Sequence, residues 1–148
     1  MSIKSFKKQG GFTLLELLIV IVIIGILALL IIPNITSAPK KARDTKRKTD
    51  VTTVRKGLEE YFVNNNVYPA TLNDLTVGSA PIIATLPTDP KNGSPAQYVY
   101  TYAPAPSGGP YTSYTLDACL ENDQDNGANV IAPVGSCTTK TFRVVNGN

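Results

Sequence analysis

The longest apolar run in the chain covers residues 12–32, where Glu16 is the only charged residue. An α-helix of this length reaches about 30 Å, which is enough to cross the hydrocarbon core of a bilayer. A short basic leader with Lys4, Lys7 and Lys8 precedes the run. The pattern predicts a membrane-associated helix at the N-terminal end of the chain.

A second helical pattern follows over residues 40–64. Its apolar positions recur three or four residues apart and form one stripe that can face a core, namely Val51, Val54, Leu58 and Tyr61 or Phe62. Pro33 and Pro39 are expected to interrupt the helix between the two stretches, because proline removes a hydrogen bond and clashes with the preceding turn. Three asparagines and then Pro69 are expected to end it.

Strand patterns occupy the second half of the chain. Alternating segments rich in strand formers lie at residues 97–102, 111–118 and 139–145. Residues 104–110 join the first two as a hairpin loop, and residues 67–95 form a connector in which Thr71 can cap one helical turn. The predicted fold class is α+β: a long N-terminal hydrophobic helix packed through its C-terminal half on a small antiparallel sheet of about three strands.

Glu16 is the first chemical clue, because a carboxylate inside an apolar segment is penalised by roughly 3 kcal/mol at the membrane centre. The side chain can snorkel to the headgroups. Alternatively, a cut between Gly11 and Phe12 would create an α-amino group four residues away. That amine and the carboxylate could neutralise each other within one chain or between neighbours, and would then set the register of stacked helices.

Residues 7–28 begin Lys-Lys-Gln-Gly-Gly-Phe-Thr-Leu-Leu-Glu and continue as an unbroken apolar run. This stretch resembles the N-terminal signature of type IV prepilins and type II secretion pseudopilins. Counted from Phe12, Glu16 is the fifth residue and Pro33 the twenty-second, as in that family. The resemblance implies cleavage after Gly11 by a prepilin peptidase and N-methylation of Phe12. It further implies assembly into a homo-oligomeric helical filament on an inner-membrane platform, with the helix softened between Gly25 and Pro33.

The resemblance divides the chain into four parts: a leader at 1–11, a transmembrane or filament-core helix at 12–32, a continuation with a basic segment at 33–66, and a globular head at 67–148. The expected location is the bacterial cytoplasmic membrane, in contact with lipid before assembly, and then an extracellular or periplasmic filament. The net charge of +3 comes from the leader lysines, so the processed chain is neutral. Loop charges alone would place the head in the cytoplasm. The processing signature and the cysteines favour the outside.

The basic segment holds six cations at residues 40–48 against one acid, Asp44. It could attract acidic lipid headgroups, acidic neighbours in a filament, or DNA, and the simplest expectation is a solvated helix face. No aromatic residue interleaves the charges, so a DNA-binding platform has no support from the pattern.

Cys119 and Cys137 favour a disulfide when the head lies outside the cytoplasm. The bridged loop resembles that of many type IVa pilins, whereas major pseudopilins commonly lack it. Asp123 and Asp125 lie in an oxygen-rich turn inside this loop. Major pseudopilins carry calcium in a comparable loop, so these residues are candidate calcium ligands, although their spacing does not fit an EF-hand. The simpler expectation is a polar surface loop without a cofactor.

The sequence therefore predicts a structural subunit of a type IV pilus-like filament that serves adhesion, motility or DNA uptake. The alternative is the major pseudopilin of a type II secretion system, which the connector Leu-Pro-Thr-Asp-Pro at residues 86–90 favours. A more distant alternative is a monomeric membrane-anchored binding module. An enzyme is not expected, because the chain has no His and no nucleophile motif.

Overall fold

A computed structural model describes residues 11–146, and it describes their side chains everywhere except at residues 30–36. The predicted leader lies outside the described residues apart from Gly11. The boundary between two compact units falls between Ser37 and Ala38. Each unit is described by itself.

One helix, α1, runs over Leu14–Asn65. It continues past Pro33 and Pro39, so the expectation that these prolines interrupt the helix is wrong. A proline removes one hydrogen bond and crowds one turn, but the turns on either side keep their own bonds. Softening between Gly25 and Pro33 stays a prediction, and the Pro33 side chain lies outside the described residues.

The helix ends within the run of three asparagines, as predicted from the sequence. Asn66 has a left-handed backbone (φ 58°), and its N–H donates to the Phe62 carbonyl at 2.7 Å. Asparagine tolerates this conformation better than most residues. The three-asparagine run therefore closes α1.

The described part of the first unit exposes almost all of its large apolar side chains, from Phe12 to Leu29. Over the residues whose side chains are described, no helix is both long and apolar enough to span a bilayer. The predicted membrane segment at 12–32 ends in residues 30–32, whose side chains lie outside this description. An apolar surface of this extent is typical of a binding face.

The second unit contains one antiparallel sheet of four strands. They are β1 (Tyr100–Ala105), β2 (Ser113–Leu120), β3 (Val130–Ile131) and β4 (Lys140–Val145), in the spatial order β1-β2-β4-β3. The three predicted strands are confirmed with shifts of a few residues. The two-residue β3 is additional, and it pairs through Val130↔Phe142 and Ile131↔Thr141.

The core lies between the sheet and the C-terminal half of α1. Alternate residues of β2 are buried, and they share one cluster with the predicted stripe of the helix: Tyr114, Leu116, Ala118 and Leu120 with Val51, Val54 and Leu58. Leu75, from the one-turn 3₁₀ helix Leu72–Leu75, joins the same cluster. Burying each large side chain contributes about 1.5–3 kcal/mol, so this cluster is what holds the head on the helix.

Glu59 of α1 ties the helix to two other elements. Its carboxylate accepts hydrogen bonds from Tyr68 Oη of the connector at 3.0 Å and from Tyr114 Oη of β2 at 2.9 Å. Burial, together with the bond to Glu59, raises the pKa of Tyr68 to about 12. Burial, followed by the bond to Glu59, also raises the pKa of Tyr114, so both phenols stay protonated as donors at neutral pH.

Candidate functional site

The predicted processing residues lie at the start of α1. Gly11 and Phe12 precede the helix, and Phe12 is 90% exposed. Glu16 folds back on Thr13: Glu16 Oε2 accepts from Thr13 N at 2.9 Å and from Thr13 Oγ1 at 2.8 Å. The Glu16 N–H in turn donates to Thr13 Oγ1 at 3.2 Å.

This reciprocal pair is a capping box, in which a Thr and the Glu three residues later satisfy backbone donors at a helix start. The sequence carries its signal, Thr-Leu-Leu-Glu at 13–16, although the predictions for Glu16 were snorkelling or a register role and did not include a cap. The positive end of the helix dipole further favours a carboxylate at this place. Glu16 therefore lies one turn from the predicted cleavage bond and is held there by Thr13.

Four of the six cations of the basic segment are paired with acids of the same unit. For Arg43, Arg47 and Lys48, which are buried or half-buried, the expectation of a solvated helix face is wrong. Four pairs form, namely Arg43–Glu121, Lys46–Asp50, Arg47–Asp89 and Lys48–Asp125. Lys40, Lys41 and Lys46 are exposed, as expected for a solvated face. The partners of Arg43, Arg47 and Lys48 lie in the connector and in the loop after β2, so the local sequence does not reveal them.

Arg47 is the centre of this network and its side chain is fully buried. Its guanidinium donates to Asp89 through Nε (2.6 Å) and Nη2 (3.0 Å). Nη1 donates at 2.8 Å both to Asp44 and to Glu121. Burial alone would lower the pKa of Arg47, but the hydrogen bonds to Asp89, Glu121 and Asp44 raise it overall. Arg47 therefore keeps its positive charge. It links α1 to the connector through Asp89 and to the loop after β2 through Glu121.

Glu121 is the second junction of the network. Its carboxylate accepts from Arg43 Nε at 2.6 Å and Nη2 at 2.7 Å, and Lys91 Nζ lies 3.1 Å away. The bonds from Arg43, followed by those from Arg47 and Lys91, outweigh burial and lower the pKa of Glu121 to about 2. The buried carboxylate is therefore ionised at neutral pH.

Tyr98 adds an aromatic face to the same network. The Arg47 guanidinium lies 4.5 Å from the ring centroid, and Lys91 Nζ lies 4.6 Å from it. Cations over a tyrosine ring are stabilised by its quadrupole. Sequence reasoning missed Asp89 and Tyr98, although Asp89 stands in the Leu-Pro-Thr-Asp-Pro connector that the prediction singled out.

Cys119 and Cys137 form a disulfide. We call residues 119–137 the Cys loop. Asp125 Oδ2 accepts from Lys48 Nζ at 2.6 Å, and Asp125 Oδ1 accepts from Gly127 N at 3.0 Å. Asp123 is exposed to solvent. Within the described residues, no three His, Cys, Asp or Glu side chains gather in a group that could hold a metal ion. Calcium binding at Asp123 and Asp125 stays a prediction.

Comparison with known proteins gives two kinds of match. The Prokaryotic N-terminal methylation motif matches residues 6–32. The type II secretion system core protein G of Vibrio cholerae is 31% identical over 95% of this chain and 99% of that protein. The proteins of the same name from Pseudomonas aeruginosa and Escherichia coli K12 are 35% and 37% identical, over 94% and 73% of their lengths and 84% and 73% of this chain. No solved structure was found to match.

Proposed function

The chain belongs to the family of the type II secretion system core protein G, within the pilin and pseudopilin superfamily, and we propose that it is the major pseudopilin of such a system. The observation that carries this proposal is the length of the similarity. It covers 95% of the chain and 99% of the relative, and so extends beyond the N-terminal motif through the whole head.

The relatives favour the secretion alternative over the pilus that the sequence predicted. The predicted disulfide favoured a pilin, because the bridged loop resembles that of many type IVa pilins. However, one covalent bond closes one loop and is compatible with either kind of filament. The sequence similarity to the relatives extends through the connector and the sheet. It therefore describes the whole head and is stronger evidence than the presence of one disulfide.

Processing and assembly follow from the N-terminal motif. A prepilin peptidase would cut between Gly11 and Phe12 and leave the Phe12 amine to be methylated. The exposed apolar surface from Phe12 to Leu29 would contact lipid first and then neighbouring helices in a homo-oligomeric filament. This proposal places the protein in the bacterial cytoplasmic membrane, with the head and filament on the periplasmic side.

The test is deletion of the gene in its own bacterium, followed by two assays on the same strain. We expect proteins normally found in the culture medium to stay in the cells, while surface pili and twitching are unchanged. A plasmid copy restores secretion. Normal secretion with lost pili or DNA uptake would support the pilus alternative instead.

Processing is tested separately by the intact mass of the protein from native membranes. We expect an N-methylated Phe12 as the first residue. A protein that still begins at Met1, in cells with an active prepilin peptidase, would favour the membrane-anchored binding module.

A further inference from the structure

We propose that this chain fixes its Cys loop with the Lys48 ammonium and the Cys119–Cys137 disulfide in place of a divalent cation. The inference concerns the second unit alone and does not depend on which kind of filament the protein forms. It rests on the ion pairs and hydrogen bonds that the acidic groups in and near the loop already form.

Two of the three acids in the loop have cationic partners on other elements. Asp125 binds Lys48 Nζ at 2.6 Å, and Glu121 binds Arg43 and Arg47 of the helix. Asp123 is exposed and is the one acid of the loop left to solvent. Calcium needs six to eight oxygen ligands with several carboxylates among them, so a single exposed Asp is not a site.

At Glu121 and Asn122 the backbone of the loop turns N–H donors towards the helix. Asp44 Oδ1 accepts from Glu121 N at 2.8 Å, and Asp44 Oδ2 accepts from Asn122 N at 2.9 Å. In a calcium loop, carbonyl oxygens commonly point at the ion. Here a helix carboxylate receives the N–H groups, and the loop is anchored by an anion at that point.

The cleft beside the loop already holds as many lysines as aspartates. A cleft of about 380 Å³ between helix and loop is lined by Lys41, Lys48, Asp44 and Asp125 together with Thr and amide side chains. Lys48 already occupies the cation position at Asp125, so a dication placed there would meet a like charge at close range. The disulfide between Cys119 and Cys137 joins the two ends of the loop covalently.

The experiment measures thermal unfolding of the processed, full-length protein in detergent, in millimolar CaCl₂ and in excess EGTA. We expect equal midpoints for the wild-type protein and no heat of CaCl₂ binding by calorimetry. Lys48→Met should lower the midpoint by a few degrees, by the same amount in both solutions. Lys41→Met, an exposed lysine of the same cleft, is the matched control and should leave the midpoint unchanged.

Three results would overturn the proposal. The first is a wild-type midpoint that rises with calcium or falls with EGTA. The second is a Lys48→Met midpoint equal to that of Lys41→Met. The third is calcium that restores the midpoint of the reduced protein. The wild-type titration decides the question even if Lys48→Met fails to fold.

Discussion

Arg47 of the helix and Asp89 of the connector form a two-pronged buried ion pair across 42 residues of sequence. Planar guanidinium and carboxylate groups fit each other in this geometry, which fixes orientation as well as distance. The connector segment 86–90 is rich in turn residues and has no regular structure of its own, so this pair gives it a defined place on α1.

Asp89→Asn should reduce the free energy of unfolding by about 3–5 kcal/mol, because it leaves the buried Arg47 charge without its main counter-ion. Urea denaturation at neutral pH measures the change. Asp123→Asn makes the same chemical change at an exposed position and should stay within about 0.5 kcal/mol of the wild type. Equal midpoints for the two variants would show that the pair does not hold the connector.

Acid should weaken the head through Glu121. Its pKa is about 2 in the folded chain against an ordinary 4.5, so the unfolded chain binds a proton first as the pH falls. The stabilisation is complete above the ordinary pKa and is lost between pH 4.5 and pH 2, about 2 kcal/mol of it by pH 3.

Urea midpoints from pH 7 to pH 3 test this, with Glu121→Gln as the comparison. The variant should be less stable than the wild type at pH 7, and the difference should shrink as the pH falls. A difference that stays constant over this range would mean that Glu121 contributes through packing and not through its charge.

The helix stripe and the main strands could be predicted because their signals are local. Val51, Val54 and Leu58 repeat within two turns, and Leu116, Ala118 and Leu120 alternate within five residues. The disulfide could be predicted because the chain has two cysteines, which allow one pairing. Each of these predictions needs only a few neighbouring residues or, for the disulfide, one pair of cysteines.

The partners of the basic segment could not be predicted, because they lie far away in the sequence. Glu121 is 74 residues from Arg47, and Asp125 is 77 residues from Lys48. A run of charged residues has the same sequence pattern whether its side chains face water or buried acidic groups. The two residues of β3 are likewise too short to form a pattern, and their pairing depends on β4.

The disulfide should stabilise the head by about 3 kcal/mol, as the chain-entropy model gives for a loop of roughly this length. The double substitution Cys119→Ser with Cys137→Ser should lower the urea midpoint accordingly, and a reducing agent should lower the wild-type midpoint to a similar value. Protein from native envelopes should show no reactive thiol before reduction. Reactive thiols in that sample would mean that the bridge does not form in its own compartment.

Glu16 has two roles that substitution can separate: it caps α1 through Thr13, and it carries the charge that the register hypothesis needs. Glu16→Gln keeps a residue suited to the capping box but removes the charge. Filament yield should fall about tenfold or more, because each contact between neighbours would lose its charge pair and a loss of about 1.4 kcal/mol already changes an association constant tenfold. Thr13→Val keeps the charge and loses the cap, at about 1 kcal/mol of helix stability, and should still assemble. Sheared filaments are measured by immunoblot, with membrane levels of each variant as the control. If Thr13→Val fails while Glu16→Gln assembles, the cap and not the charge is what assembly requires.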